Sequence, residues 1–157
     1  ALIHFARYLR KNIKFIEEEG MIAFSAELEQ LEDYVALEQM RFPDRIMFSE
    51  DIKEMNFKLP PLTVQPLVEN AIKHGLLEHD RSGMVMLQTQ REAEMVVITI
   101  TDDGVGFLPQ ELTSKECVGI RNVRYRLENM AGGSLAIDSA PGEGTKVTIK
   151  IPMEASE

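Results

Sequence analysis

An alternation of apolar and polar residues near the end of the chain constrains the fold more than any other feature of the sequence. Over residues 146–151, valine and isoleucine alternate with lysine and threonine. This period of two predicts a strand that buries one face and exposes the other to water. Similar patterns predict further strands at Ile46–Ile52, Met84–Arg91, Val96–Thr101 and Ser134–Ser139, and helices at Leu62–Leu77 and Gly119–Ala131. Together they favour an α+β fold with helices on one face of a mixed sheet.

The first 42 residues have helical periodicity instead. Their apolar side chains form two stripes, at Leu2, Phe5, Leu9 and Ile13 and at Leu28, Leu31, Val35 and Phe42. Gly20 separates the stripes, which predicts a helical hairpin. Ser25 is the predicted N-cap of the second helix, and Glu27 and Glu29 would lie in its first turn, where the helix dipole favours acids. Because both stripes are narrow, we expect them to pack against the following domain, a helix outside this sequence or a second copy of the chain.

The composition excludes several classes of function. With 157 residues, the chain is long enough for one domain with its own core. Its formal net charge of -9 disfavours nucleic acid and anionic lipid as main partners. The single cysteine permits no internal disulfide, and no apolar run approaches the roughly 18 residues that span a bilayer. Since there is no initiating methionine, we expect a piece of a longer protein.

The most informative stretch is QPLVENAIKHGLL, residues 65–77. At roughly 100° per residue, its apolar side chains occupy one arc of a helix, and the opposite arc carries Glu69, Asn70, Lys73 and His74. A solvated helix face usually repeats glutamate, lysine and glutamine, whereas this face combines four chemistries. The amide and the carboxylate suit a hard cation such as Mg²⁺, and the lysine suits phosphate oxygens. An ordinary amphipathic helix is the alternative for this segment taken alone.

Glycine-containing turns follow at three places. After the strand that ends at Thr101, Asp102 precedes Gly104 and Gly106, which permit close backbone approach to a ligand. A carboxylate at this position can accept a hydrogen bond from an exocyclic amine such as that of adenine. Gly119 is predicted to open a helix whose N-terminus would suit an anion, and GEGT at residues 142–145 leads into the last strand. Each motif alone is equally typical of an ordinary turn or helix start.

The order of these motifs resembles a known family. A helix with E-N-x-x-K-H, a strand with D-x-G-x-G, a glycine-led helix and G-x-G-T are similar to the GHKL ATP-binding fold of sensor histidine kinases, type II topoisomerases, MutL and the large heat-shock chaperones. The segments LPPLTVQPLVENAIKHGL, DDGVGF, GIRNVRYRLENM and, upstream, YVALEQMRFPDRI resemble sensor histidine kinases of the LytS type. The resemblance implies a Bergerat-type α/β sandwich over residues 43–157, preceded by a remnant of the dimerisation helices over residues 1–42.

The resemblance assigns one group of residues to the phosphates of ATP. It implies that Asn70 coordinates Mg²⁺ and that Glu69 orients or deprotonates the acceptor imidazole. Lys73 and His74 would contact phosphate oxygens, and Gly119 would meet the phosphates as well.

A second group is assigned to the base. The resemblance implies that Asp102 binds the adenine amine and that Gly104 and Gly106 shape the pocket. Thr145 would support the same edge of the base through its hydroxyl or a water. Residues 107–118 would form the ATP lid.

The chain departs from the family pattern at two places. The lid usually closes with a second glycine where this chain has Cys117, for which we expect a small, partly buried side chain. The phosphoacceptor histidine, carried in the family by a motif resembling N-P-H-F-x-F-N, is absent. His4 matches a later part of that helix, so we interpret it as a surface histidine and expect the acceptor upstream of this sequence.

The expected function is that of the cytoplasmic catalytic domain of a bacterial two-component sensor kinase anchored in the cell membrane. It would transfer the γ-phosphoryl group of Mg-ATP to a histidine, for relay to a response regulator, within a homodimer. We expect no nucleic-acid partner and no membrane contact by this part. Two alternatives stay open: a GHKL serine kinase of the anti-sigma-factor kind, and an interaction module whose nucleotide pocket has decayed.

Overall fold

The computed structural model describes residues 2–3, 5–6, 9, 20–80, 82–108 and 114–153, with the backbone alone described for residues 114–117. The five described residues before Gly20 are helical and exposed. Most of the predicted first helix lies outside the described residues, as do His4 and part of the predicted lid. Within the described ranges, no helix is long and apolar enough to cross a membrane.

Helices are interspersed among the strands along the described part of the chain, and most of the strands belong to one mixed sheet. In chain order the elements are β1 (Ile22–Ala23), α1 (Phe24–Arg41), β2 (Ile46–Ile52), β3 (Lys58–Leu59), α2 (Gln65–Asn70), β4 (Gly83–Glu92), β5 (Met95–Asp102), α3 (Ser114–Arg126), β6 (Ser134–Ser139) and β7 (Thr145–Pro152). Five strands form one sheet in the order β2-β4-β5-β7-β6. β2 runs parallel to β4, and the remaining neighbours are antiparallel. The predicted α+β fold with a mixed sheet is confirmed.

One apolar cluster lies between this sheet and the helices. Val147, Ile149 and Ile151 of β7 belong to it, as their alternation predicts. They share the cluster with Val68 of α2 and with Ile72 just beyond it. The intervening residues of β7 are exposed or half-buried. One face of the sheet is therefore covered by helices, and the other meets water.

Two of the helices, α2 and α3, continue into irregular turns. α2 continues beyond Asn70 as a π-helical turn, Ala71–Leu76, and then as a 3₁₀ turn, Leu77–His79. α3 likewise continues into a π-helical segment, Leu127–Ala131. Such turns occur often at functional sites, and the one after Asn70 carries two of the predicted phosphate-binding residues.

Gly119 does not open α3. The helix already includes Ser114, so Gly119 lies in its second turn and the predicted helix start is wrong. A glycine inside a helix costs only about 1 kcal/mol relative to alanine, so a lone glycine does not mark a helix boundary. An anion site at a helix N-terminus beginning with Gly119 is therefore absent from the described residues.

α1 packs into the same apolar cluster as the sheet. Leu28, Leu31 and Val35 of its predicted stripe are buried there. Its N-cap is Ala23, without a side-chain cap, so the prediction of Ser25 is wrong. The reason is that β1 pairs with β3, and the chain enters α1 directly from this short strand. The predicted domain boundary between residues 42 and 43 remains a prediction. Described residues on both sides of it belong to the same apolar cluster.

A buried acid connects α1 to the start of α2. Glu27 is fully buried, and its carboxylate accepts hydrogen bonds from the backbone nitrogens of Thr63 at 2.7 Å and Val64 at 3.0 Å. Val64 is the N-cap residue of α2, so a side chain from another helix satisfies donors at this helix start. Arg126 of α3 donates to the carbonyl of Leu62 in the same loop. Burial raises the pKa of Glu27 to about 7, against the opposing effect of its backbone hydrogen bonds and of Arg126.

Candidate functional site

A cavity of about 130 Å³ opens between α2 and one end of the sheet. Most of its lining is apolar, contributed by Leu67, Ala71, Ile100, Val105, Phe107, Ile120, Ile137 and Val147. Its polar lining residues are Asn70, His74, Glu78, His79, Asp102 and Thr145. An apolar cleft with a few convergent polar groups is typical of a binding site for a small molecule.

Asp102 is the last residue of β5 and faces this cavity while only 6% exposed. Its Oδ1 accepts a hydrogen bond from the backbone nitrogen of Gly104 at 2.9 Å. Burial raises the pKa of Asp102 to about 6; the hydrogen bond from Gly104 opposes this shift, and the neighbouring Asp103 adds to it. The carboxyl group is therefore mostly ionised at neutral pH and acts as an acceptor only.

The glycines after Asp102 permit close backbone contacts beside the cavity. A Cβ on Gly104 would lie 2.3 Å from the carbonyl oxygen of Gly75, so this turn packs directly on the π-helical segment. Val105 donates a backbone hydrogen bond to the same carbonyl at 3.1 Å. Gly106 has a φ of +66°, and a Cβ there would lie 2.0 Å from the oxygen of Ala140. Gly104 thus brings the turn close to the helix, whereas Gly106 supplies the positive φ.

Thr145 begins β7 and pairs in register with Asp102 on one side and Ser139 on the other. Its Oγ1 lies 2.8 Å from the Oγ of Ser139. Ser139 was not predicted as a site residue. A sequence signal for it existed, because the short connection between the last two predicted strands implies a hairpin that places Ser139 opposite Thr145.

Asn70 and His74 bring the polar arc of α2 and its extension to the cavity. The Nδ1 of His74 lies 3.0 Å from Oε2 of Glu78, one turn further on. A Cβ added to Gly119 would be 3.9 Å from Nδ2 of Asn70, so α3 crosses close to this side chain. Gly119 thus lies near Asn70 from the interior of a helix, and its contact with the phosphates remains a prediction.

The structure separates the predicted site residues into two sets. Glu69 is half-buried, and its Oε1 accepts a hydrogen bond from Nε2 of Gln65 at 3.0 Å. Lys73 is exposed. The cavity brings together Asn70, His74, Asp102, Gly106 and Thr145, and its lining does not include Glu69, Lys73, Gly104 or Gly119.

Two known family models match this chain. The family model described as "Histidine kinase-, DNA gyrase B-, and HSP90-like ATPase" matches residues 61–155, and the model described as "Histidine kinase" matches residues 1–46. The first match covers more than half of the chain. The chain therefore belongs to the histidine kinase-, DNA gyrase B- and HSP90-like ATPases, and it carries the ATP-binding catalytic domain of sensor histidine kinases.

Individual relatives agree with this assignment. Sensor histidine kinase YpdA of Escherichia coli is 35% identical over 96% of the chain, and sensor protein LytS of Enterococcus faecalis is 31% identical over 99%. The chain spans only 28% and 29% of the lengths of these two relatives. The catalytic domain of histidine kinase ThkA, 15% identical, shares the fold with a TM-score of 0.66 over 87% of this chain and 96% of that one.

Proposed function

We propose that this chain binds Mg-ATP and, in its whole protein, transfers the γ-phosphoryl group to a histidine located upstream of this sequence. The phosphoryl group then passes from that histidine to an aspartate of a response regulator. Positioning and charge neutralisation carry such a reaction, since the transferred group needs little covalent help from the protein. The whole protein is, in this proposal, a homodimeric membrane sensor with this part on the cytoplasmic side.

One observation carries the proposal: Asn70 and Asp102, far apart in the sequence, open onto the same cavity. Asp102 offers an ionised acceptor for the 6-amino group of adenine, and the apolar walls suit the faces of the ring. Asn70 offers an amide oxygen for the divalent ion that accompanies the triphosphate. A base and a phosphate chain can thus be bound by one cleft.

The residues present fit a magnesium ion. Among the described residues, no three or more histidine, cysteine, aspartate or glutamate side chains cluster as a metal site. Mg²⁺ commonly takes one or two protein oxygens and completes its shell with waters and substrate phosphates. We propose that Asn70 provides this oxygen.

The remaining polar residues divide the other roles. His74 lines the cavity and contacts phosphate oxygens in this proposal, whereas Lys73, exposed and outside the lining, acts as a charge for the phosphates beyond it. Glu69, held by Gln65, orients the acceptor imidazole. The match of residues 1–46 to a histidine kinase model favours histidine over serine as the acceptor.

Titration calorimetry tests the nucleotide site. The chain is expected to release heat on binding Mg-ATP, and Asn70→Ala is expected to bind ATP with little response to Mg²⁺. Asn56→Ala, at an exposed position away from the cavity, is the matched control and should behave like the parent. Absence of binding by the parent would favour an interaction module whose pocket has decayed.

A labelling experiment tests the location of the acceptor. Incubated with ATP labelled in the γ-phosphoryl group, the chain is expected to bind nucleotide and to gain no covalent label. Label that appears on the chain and disappears in His4→Gln would place the acceptor within this sequence and contradict the proposal.

A further inference from the structure

Three oxygen-bearing side chains form a row across the sheet at the cavity. Asp102 on β5 pairs in register with Thr145 on β7, and Thr145 pairs with Ser139 on β6. Directly opposite residues on antiparallel strands point to the same face, with Cβ atoms roughly 4.5–5.5 Å apart. Asp102 and Thr145 line the cavity, and Ser139 lies next to Thr145 outside the lining.

The hydrogen bonds of Ser139 determine where the hydroxyl hydrogens point. A serine hydroxyl has one hydrogen to donate and two lone pairs. Ser139 Oγ is 2.9 Å from the carbonyl oxygen of Gly144, which can only accept, so the serine hydrogen is donated there. One lone pair accepts the backbone N–H of Phe107 at 3.0 Å. In the remaining contact, 2.8 Å from Thr145 Oγ1, Thr145 must therefore be the donor.

This assignment fixes what the cavity presents to a ligand. Because the only hydroxyl hydrogen of Thr145 points to Ser139, its oxygen offers lone pairs alone to the cavity. Asp102, ionised beside it, is also an acceptor only. The carboxylate of Asp102 and the Oγ1 of Thr145 can accept the two hydrogens of a 6-amino group. A 6-oxo group would bind less well, because its oxygen would find no hydrogen-bond donor.

We propose that Ser139 is a positioning residue for base selection: it holds the hydroxyl hydrogen of Thr145 away from the cavity, so that the site accepts an exocyclic amine and rejects a carbonyl. The inference rests on the proposed ATP site and adds the residue that sets its preference among purine nucleotides. The same oxygen of Ser139 also anchors the backbone of Phe107, immediately after the glycine turn.

The test compares the dissociation constants of Mg-ATP and of inosine triphosphate with Mg²⁺, in which oxygen replaces the 6-amino group. The parent is expected to prefer ATP. In Ser139→Ala the hydroxyl of Thr145 is free to turn its hydrogen toward the cavity. The ratio of the dissociation constant of inosine triphosphate to that of ATP is therefore expected to fall about five- to tenfold, the effect of one hydrogen bond. Ser139→Thr keeps the hydroxyl and is expected to show the same preference for ATP as the parent. Ser134 is exposed on the same strand, so Ser134→Ala should also leave the preference unchanged.

A second background separates positioning from support of the fold. In Thr145→Val no hydroxyl remains to be turned, so adding Ser139→Ala is expected to leave the ratio of the two constants as it is in Thr145→Val. The inference is overturned if Ser139→Ala weakens the binding of both nucleotides equally. It is also overturned if Ser139→Ala lowers the preference for ATP by the same factor in the parent and in Thr145→Val.

The proposed ATP site and this inference fail in different ways. If the parent binds neither nucleotide, the ATP site itself is wrong and the inference falls with it. If the parent prefers ATP but Ser139→Ala keeps that preference, the inference alone is wrong. Should Ser139→Ala not fold, as judged by its thermal melt, Thr145→Val carries the test, because loss of an acceptor must weaken ATP more than inosine triphosphate, and equal weakening overturns the inference.

Discussion

Two buried carboxylates, Glu27 and Asp102, differ in how many backbone hydrogen bonds they accept. Burial raises the pKa of both, to about 7 for Glu27 and to about 6 for Asp102. Glu27 uses both oxygens to accept backbone hydrogen bonds, from Thr63 and Val64. In the described part of the chain, Asp102 accepts one such bond, from Gly104, and its side chain lines the cavity.

The difference shows how a buried acid is assigned a role. A charge inside a protein is costly unless hydrogen bonds or counter-charges compensate for it. Around Glu27 two backbone hydrogen bonds and the charge of Arg126 offset part of the cost of burial, and both oxygens are used, so this acid holds elements together. Around Asp102 the compensation is incomplete, and a ligand that donates a hydrogen bond can complete it. The unused acceptor, rather than the raised pKa, distinguishes the proposed binding residue, Asp102, from Glu27.

The largest expected effect concerns Glu27. Glu27→Ala leaves the backbone nitrogens of Thr63 and Val64 buried without an acceptor, so the free energy of unfolding is expected to fall by about 3 kcal/mol or more. Urea denaturation measures this. Glu32→Ala, at an exposed position of the same helix, is the control and should change stability by less than about 0.5 kcal/mol. A loss from Glu27→Ala as small as that of the control would remove the structural role of this acid.

The next effect concerns Asp102 and affects binding instead of stability. In Asp102→Asn the amide oxygen can still accept the N–H of Gly104, but the amide NH₂ would face the amine of adenine. The affinity for Mg-ATP is expected to fall about 100-fold, with no loss of thermal stability. Asp103→Asn is the control, because it removes the same charge at an exposed neighbouring residue. The Oδ1 of Asp103 accepts a hydrogen bond from the backbone nitrogen of Met84. An equal loss of affinity in both variants would attribute the effect to net charge and not to a contact with the base.

The pH dependence of stability sharpens the comparison further. Glu27 has an ordinary pKa of 4.5 in the unfolded chain and one of about 7 in the folded chain, so the folded state holds an extra proton between these values. Its contribution to stability is full below pH 4.5 and is lost as the pH rises through about 7. Relative to Glu27→Gln, which does not titrate, the parent is expected to lose about 2 kcal/mol of unfolding free energy between pH 5 and pH 8. Parallel pH profiles for the two proteins would contradict the raised pKa.

The smallest expected effect is the pH dependence of nucleotide binding. Asp102, with a pKa of about 6, is ionised at pH 7.5 and mostly protonated at pH 5. Its capacity to accept from the adenine amine falls accordingly, and the affinity for Mg-ATP is expected to drop about tenfold over this range. Asp102→Asn provides the baseline, because the protonation of ATP itself affects both proteins equally. A drop of the same size in that variant would show that Asp102 is not the titrating group.

The sequence predicted the larger elements because periodicity extends over several residues in each. The predicted bounds of Ile46–Ile52 and Ser134–Ser139 agree with the strands of the structure. The two-residue strands β1 and β3 were not predicted, since two residues are too few to show a period. The start of α3 differs from the prediction because a glycine costs little inside a helix, so Gly119 does not mark its boundary.

The candidate site was predictable to the extent that motifs carried it. Asn70, His74, Asp102 and Thr145 meet at the cavity, which agrees with their predicted common site, although their individual roles remain predictions. Residues whose role depends on a tertiary partner were missed. Glu27 has the appearance of an ordinary first-turn acid, and the contact of Gly75 with Gly104 is visible only in the folded chain. For Ser139, the hairpin predicts its place opposite Thr145 but not its hydrogen bond from Phe107.

The contact between Gly104 and Gly75 limits how this domain can be engineered. Replacing glycine by alanine is a common route to thermostability, since it restricts the unfolded chain. At Gly104 the added methyl group would collide with the carbonyl of Gly75 at 2.3 Å and push the turn away from the helix. A thermostable version of this kinase domain must therefore gain its stability elsewhere, for instance at Gly20, where an added methyl group would meet nothing within 4 Å.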